Sequence, residues 1–167
     1  MSTKKKYEFK EFLEDVALLE WAREEDKQFI TQFHDALLQK DCKAKITSSK
    51  TNPFLFAYTQ KRKGVMSLYL RKKGLKARIN VNHLKNYPDV LNALPEEMIT
   101  QLNNAHVCKN MVGEKCWEGC LGYDFSIGET HYQKCKYDCF TFDVNQESMP
   151  FLFELIESEL KARLETA

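Results

Sequence analysis

Apolar residues recur along this chain at helical spacing, then in alternation, then at helical spacing again, and each change of rhythm predicts an element. Phe9, Phe12, Leu13 and Val16 fall on one helical stripe and Phe29, Ile30, Phe33, Ala36 and Leu37 on another, which predicts amphipathic helices near 8–22 and 25–40. The polar run Arg23 to Gln28 is either a break between them or the wet face of one bent helix. His34 is expected at a helix edge and Cys42 just past a helix end. Lys43 to Ser49 reads as the start of a strand that Asn52-Pro53 interrupts.

A β-meander over 54–82 follows. Phe54, Phe56 and Tyr58 alternate along one strand, Met66, Leu68 and Leu70 along the next, and Leu75, Ala77, Ile79 and Val81 along a third. Lys61-Arg62-Lys63-Gly64 and Arg71-Lys72-Lys73-Gly74 connect them, each ending in a glycine suited to a left-handed turn position. Pro95-Glu96-Glu97 opens a helix over 95–105, since proline lacks only a hydrogen unpaired there anyway and the acids favour the positive end of the dipole. Within 140–165, Phe140, Phe142 and Val144 mark a strand. Ser148 and Pro150 then open a helix with Phe151, Leu152, Leu155, Ile156 and Leu160 on its buried stripe. The pattern predicts an α+β fold: an antiparallel meander packed with N- and C-terminal helices, with a cysteine-rich loop, 106–139, inserted between helix and strand.

Composition narrows this frame. With 167 residues, 43% of them hydrophobic, the chain has material for one good core, so a single domain over 1–167 is expected. The stretch Met1 to Phe9 has a basic start and no apolar run after it, and no window approaches the roughly 18 apolar residues of a membrane span. A cytoplasmic protein with no membrane partner is therefore expected. The formal charge of +1 carries no whole-chain sign of a nucleic-acid partner. Locally the charges segregate: between Lys40 and Lys85 thirteen Lys or Arg stand against Asp41, and between Glu8 and Asp35 nine acids stand against Lys10, Arg23 and Lys27. Complementarity between acidic helices and a basic sheet accounts for this, as does a binding surface.

The candidate chemistry lies in Cys108-x7-Cys116-x3-Cys120-x14-Cys135-x3-Cys139. Gly113, Gly119, Gly122 and Gly128 fall in the same stretch, which reads as loop. Ordering it costs more entropy than Trp117, Leu121, Tyr123, Phe125 and Ile127 easily offset. Reduced thiols favour a metal over disulfides. The C-x3-C pairs Cys116/Cys120 and Cys135/Cys139 are the expected zinc ligands, with Cys108 a possible substitute. Sulfurs on one zinc lie ~4 Å apart, whereas positions i and i+4 are roughly 13 Å apart in a strand and about 6 Å apart in a helical turn. Residues Cys135 to Cys139 must then be turned, and Gly119 lets the other pair fold back. Lys109, Lys115, Lys134 and Lys136 flank the thiols and would offset thiolate charge, or equally activate a free thiol. His106 and His131 are alternative ligands or surface histidines.

The run His131-Tyr132-Gln133-Lys134-Cys135-Lys136-Tyr137-Asp138-Cys139-Phe140, with Cys108, Cys116 and Cys120 before it, resembles the C-terminal half of a family of small, uncharacterised, cysteine-rich bacterial α+β proteins. The resemblance implies that the five cysteines form one unit, and it implies no activity.

Three functions fit these residues. The leading one is a non-enzymatic binding or interaction module with a structural zinc, its partner a small molecule or a protein. A thiol-dependent redox protein or enzyme using Cys108 is the first alternative. The second is nucleic-acid or anion binding by Arg71, Lys76 and Arg78 with Tyr69 on the sheet. Successive meander turns lie at opposite ends of the sheet, so the two basic turns do not form one phosphate track.

Overall fold

A computed structural model describes residues 4–166 of the chain; Met1 to Thr3, part of the basic N-terminal stretch read above, lie outside the described residues. The elements in order are β1 (Lys5–Tyr7), α1 (Phe9–Val16), α2 (Glu24–Gln39), β2 (Lys43–Ser48), β3 (Phe54–Gln60), β4 (Lys63–Arg71), β5 (Gly74–Ile79), α3 (Pro88–Asn92), α4 (Glu96–Asn104), β6 (Tyr123–Ile127), β7 (Thr130–Lys134), β8 (Thr141–Asp143) and α5 (Met149–Glu165). Six strands form a sheet in the order β1-β2-β3-β4-β5-β8, and β6 pairs with β7 apart from it. The α+β architecture with an antiparallel meander is as the alternation predicts. The chain divides into two compact units, one running to Arg78 and taking in Asp143–Glu147, the other comprising Ile79–Phe142 and the residues from Ser148 on.

In the first unit, α1 and α2 lay their apolar stripes on one sheet face. Phe12 meets Phe54 and Phe56 edge-on, with ring centres 4.9 and 4.7 Å apart. His34 is not at the helix edge but buried. Its ring stacks on Phe9 at 3.8 Å, and its Nδ1 lies 3.1 Å from the Tyr58 hydroxyl. Burial pulls its pKa down, with Asp35 opposing. The break falls at 17–22, so the first helix ends at Val16, short of the expected 22, and the polar run forms the start of α2, where the Arg23 guanidinium bonds the buried Asp26. Helix α2 ends in a Schellman arrangement: Asp41, at φ 59°, lets its own N–H reach Leu38 O and the Cys42 N–H reach Leu37 O.

The first meander turn corrects the glycine reading. Gln60 pairs with Lys63, so the loop is the two residues Lys61 and Arg62, at φ 49° and 65°, while Gly64 sits inside β4. A two-residue turn matched to strand twist needs positive φ at both positions, and here two cations supply it. The strand β1 also escapes the pattern, being three residues long and led by lysines.

The second unit is organised around α5. Its buried face carries Leu152, Leu155, Ile156 and Leu160, and also Glu159, which is 0% exposed. The carboxylate accepts bonds from the His83 N–H (3.1 Å), the Tyr87 hydroxyl (2.6 Å) and Arg163 Nε (3.0 Å), and its Oε1 lies 2.9 Å from His83 Nδ1. Burial by itself would raise its pKa; the bonds from Tyr87, His83 and Arg163 outweigh that and hold it below the ordinary glutamate value. Arg163 also donates to Asn80 O, 3.1 Å away, so this hub fixes the chain after β5 to α5.

Candidate metal centre in the cysteine-rich segment

The 106–139 segment is more ordered than its glycines suggest. Tyr123, Phe125 and Ile127 alternate along β6, Gly128 takes φ 58° in the turn, and β7 returns with Tyr132 facing Phe125. Phe125 stacks on Tyr132 at 5.0 Å, and Phe140 closes on Tyr123 and Phe125 at 5.4 and 5.2 Å. Aromatic burial thus holds this half of the segment without help from sulfur, against the expectation of a loop poor in oily contacts. The signal was the Tyr-x-Phe-x-Ile alternation before Gly128-Glu129. Phe140 itself is buried at φ 60°, a strained backbone for so bulky a residue, held by these rings and by the Ile79 N–H on its carbonyl.

The thiols gather at the open end of this hairpin. Residues 106–108 run beside β7: Cys108 N–H donates to Gln133 O at 2.9 Å, Cys135 N–H to His106 O at 2.8 Å, and Val107 bridges to Lys134. Cys108 therefore sits beside the strand that leads into Cys135. Gly122 makes room for it, since a Cβ there would lie 2.5 Å from Cys108 Sγ. Cys120 enters from a turn closed by its N–H on Trp117 O, and the Asn110 side chain holds both Trp117 O and Cys120 O. Gly119, at φ 81°, provides the fold-back. Residues 135–139 are turned, as a C-x3-C pair on one ion requires, with Cys139 N–H on Cys135 O at 2.9 Å.

The thiols also act on one another's protonation. Burial pushes the Cys120 thiol up. The next contributions come from Cys116, whose thiol is within hydrogen-bonding reach, and then from Cys135 and Cys108. Cys139 behaves otherwise: it is 1% exposed, and burial pushes its thiol up to about 12 despite the Phe140 N–H and Lys134. None of the six cysteines is in a disulfide; Cys42 belongs to the end of α2 in the first unit. Among the described residues, no three His, Cys, Asp or Glu side chains already stand in an arrangement that could hold a metal ion.

The two histidines are engaged elsewhere. His106 pairs with Asp138 through Nδ1 at 2.5 Å, and its backbone N–H binds the same oxygen at 2.6 Å. His131 Nε2 lies 2.6 Å from Asp124, which it holds below the usual carboxylate range. Lys134, read as a flank of Cys135, also caps α4 by donating to Asn103 O and Ala105 O at 2.9 and 2.7 Å. Next to the segment lies a cleft of about 630 Å³ lined by residues that include His83, Lys85, Leu121, Tyr123, Asp124 and Lys136. Its size falls within the range of small-molecule pockets.

Compared with known proteins, the chain matches no family model, no curated protein and no solved structure. Among the described residues, no helix is long and apolar enough to cross a membrane.

Proposed function

We propose that this protein is a non-enzymatic binding module whose cysteine-rich segment is pinned by a zinc ion held by thiolates. The observation that carries the reading is the convergence of the segments that bear the thiols: 106–108 runs beside 133–135, Gly122 lies against the Cys108 sulfur, and the Cys120 thiol is within reach of Cys116. Cys116, Cys120 and Cys135 supply three ligands. For the fourth we favour Cys108 over Cys139, because Cys108 acts on the Cys120 thiol together with Cys116 and Cys135. Ion binding draws the thiols inward by rotamer changes in a stretch that is largely exposed around Cys116. Four thiolates leave zinc no open position for substrate, so the site serves structure. Lys109, Lys115 and Lys136 offset the net double negative charge of the complex.

Burial also weighs against the redox alternative, since Cys108 is 2% exposed and a nucleophile needs access. Chelation tests the proposal. A strong chelator should lower the melting temperature of the reduced protein and added zinc should restore it, in the parent chain and in Cys139→Ser but not in Cys120→Ser. A melting temperature indifferent to chelator and zinc would contradict it.

A further inference from the structure

The strand register of the first unit sorts side chains onto two faces. Phe54, Phe56 and Tyr58 go under the helices. On the other face, the pairs Lys6 with Thr47, Thr47 with Leu55 and Leu55 with Tyr69 make one row across four strands, and Lys45 with Ala57 and Ala57 with Ser67 make the next. Lys43 stands opposite Thr59 beyond them. Alternation along β5 brings Lys76 and Arg78 to this same face, opposite buried Leu75, Ala77 and Ile79. The guanidiniums of Arg71 and Arg78 lie 5.1 and 5.7 Å from the centre of the Tyr69 ring.

Lys6, Lys43, Lys45, Arg71 and Lys76 are exposed and Arg78 is half-buried. Among the described strand residues of this face the acid is Asp143, whose carboxylate lies 3.4 Å from Lys76. The basic turns do point to opposite ends, as a meander requires. The strands between them nonetheless place cations on both sides of one face, Lys6, Lys43 and Lys45 on β1 and β2 and Arg71, Lys76 and Arg78 on β4 and β5, with the Tyr69 ring and uncharged side chains between.

We propose that this face binds single-stranded nucleic acid. The cations fit the phosphates of a strand lying across the sheet, and Tyr69 with its two arginines offers bases a stacking platform. From β1 to β5 the face spans about 19 Å, from ~4.8 Å per strand step, a width suited to a few nucleotides. A groove of duplex DNA admits a helix or a two-stranded ribbon rather than a broad sheet. A lipid surface would call for protruding apolar side chains, and Leu55 of this face is half-buried. The inference goes beyond the zinc reading and is independent of it, since the cysteines of that site belong to the other unit.

Fluorescence anisotropy with labelled oligothymidylate and oligouridylate tests it on the whole chain. Binding is expected at about 50 mM salt and should weaken roughly 20- to 50-fold by about 200 mM, as three or four neutralised phosphates require. Lys45→Glu with Arg78→Glu should abolish it. Lys45→Gln with Arg78→Gln, which removes the charges without reversing them, should weaken it too and decides the matter where the reversal disturbs folding, and Tyr69→Ala should weaken it about tenfold. Lys161→Glu, an exposed change on α5, and chelator should leave it unchanged, which separates this proposal from the zinc site. No binding at low salt, binding indifferent to the charge changes, or tighter binding to anionic phospholipid vesicles or to duplex of the same sequence would each overturn the proposal.

Discussion

Replacing Glu159 by glutamine changes one atom of the α5 hub and cannot be accommodated in either amide orientation. With the NH₂ in the place of Oε1 it faces Arg163 Nε–H, 3.0 Å away, which can only donate. With the NH₂ in the place of Oε2 it faces the His83 backbone N–H, 3.1 Å away, which can only donate too. Tyr87 and the His83 ring can reverse their roles, but one buried donor is stranded either way. That strands a group worth about 1–3 kcal/mol. It also removes the charge paired with Arg163, a side chain only 10% exposed, and breaking such a pair costs about 3–5 kcal/mol in all. At roughly 2–4 °C per kcal/mol for a chain of this size, the melting temperature followed by circular dichroism should fall by about 6–20 °C. Glu159→Gln with Arg163→Met should recover part of that loss: no charge is left unpaired, and the amide oxygen can accept from the His83 N–H and Tyr87 while its NH₂ no longer faces Arg163. A Glu159→Gln variant within about 1 kcal/mol of the parent, or a double variant no better than the single one, would refute the reasoning. The pH sign follows from the lowered pKa: Glu159 binds its proton less tightly folded than unfolded. Its contribution is complete above the ordinary carboxylate range and is lost as pH falls through its lowered folded value.

Three further outcomes follow from particular geometry. Asp41→Gly should stabilise the chain by about 0.5–1 kcal/mol by relieving the left-handed backbone at the end of α2, read as a higher urea midpoint; an unchanged or lower midpoint would contradict it. His34, neutral and stacked on Phe9, should make the parent chain lose stability relative to His34→Gln as pH falls below about 6.5, because the folded state holds that proton less tightly; parallel stability curves would count against this. Gly122→Ala should cost about 1–3 kcal/mol through overpacking. Cys108→Ala should rescue it little, since the new Cβ still lies 2.7 Å from Cys108 Cβ and 2.8 Å from Lys134 O.

The elements legible in the sequence are those in which one face is buried over several periods. The meander and the stripes of α2 and α5 announce themselves because each apolar position repeats a choice already made by its neighbours. The β6–β7 hairpin was concealed by the cysteines and glycines around it, although Tyr123, Phe125 and Tyr132 carry its core. Lys61-Arg62 hid a two-residue turn because lysine and arginine are not residues that turn chemistry prefers. Glu159 gave no sign at all: its partner His83 is 76 positions away, and a carboxylate on an apolar stripe reads as an ordinary helix charge until the fold supplies its donors. The cysteine spacing requires a turn at 135–139 if both thiols bind one ion, yet spacing alone does not distinguish Cys108 from Cys139, because the difference lies in which thiol acts on Cys120.

The zinc content of protein purified without chelator under reducing conditions tests the central claim most directly. Elemental analysis should find about one zinc per chain, lost in Cys120→Ser and Cys108→Ser and kept in Cys139→Ser. Protein that is folded and free of zinc, or zinc that survives the Cys120→Ser change, would contradict the account.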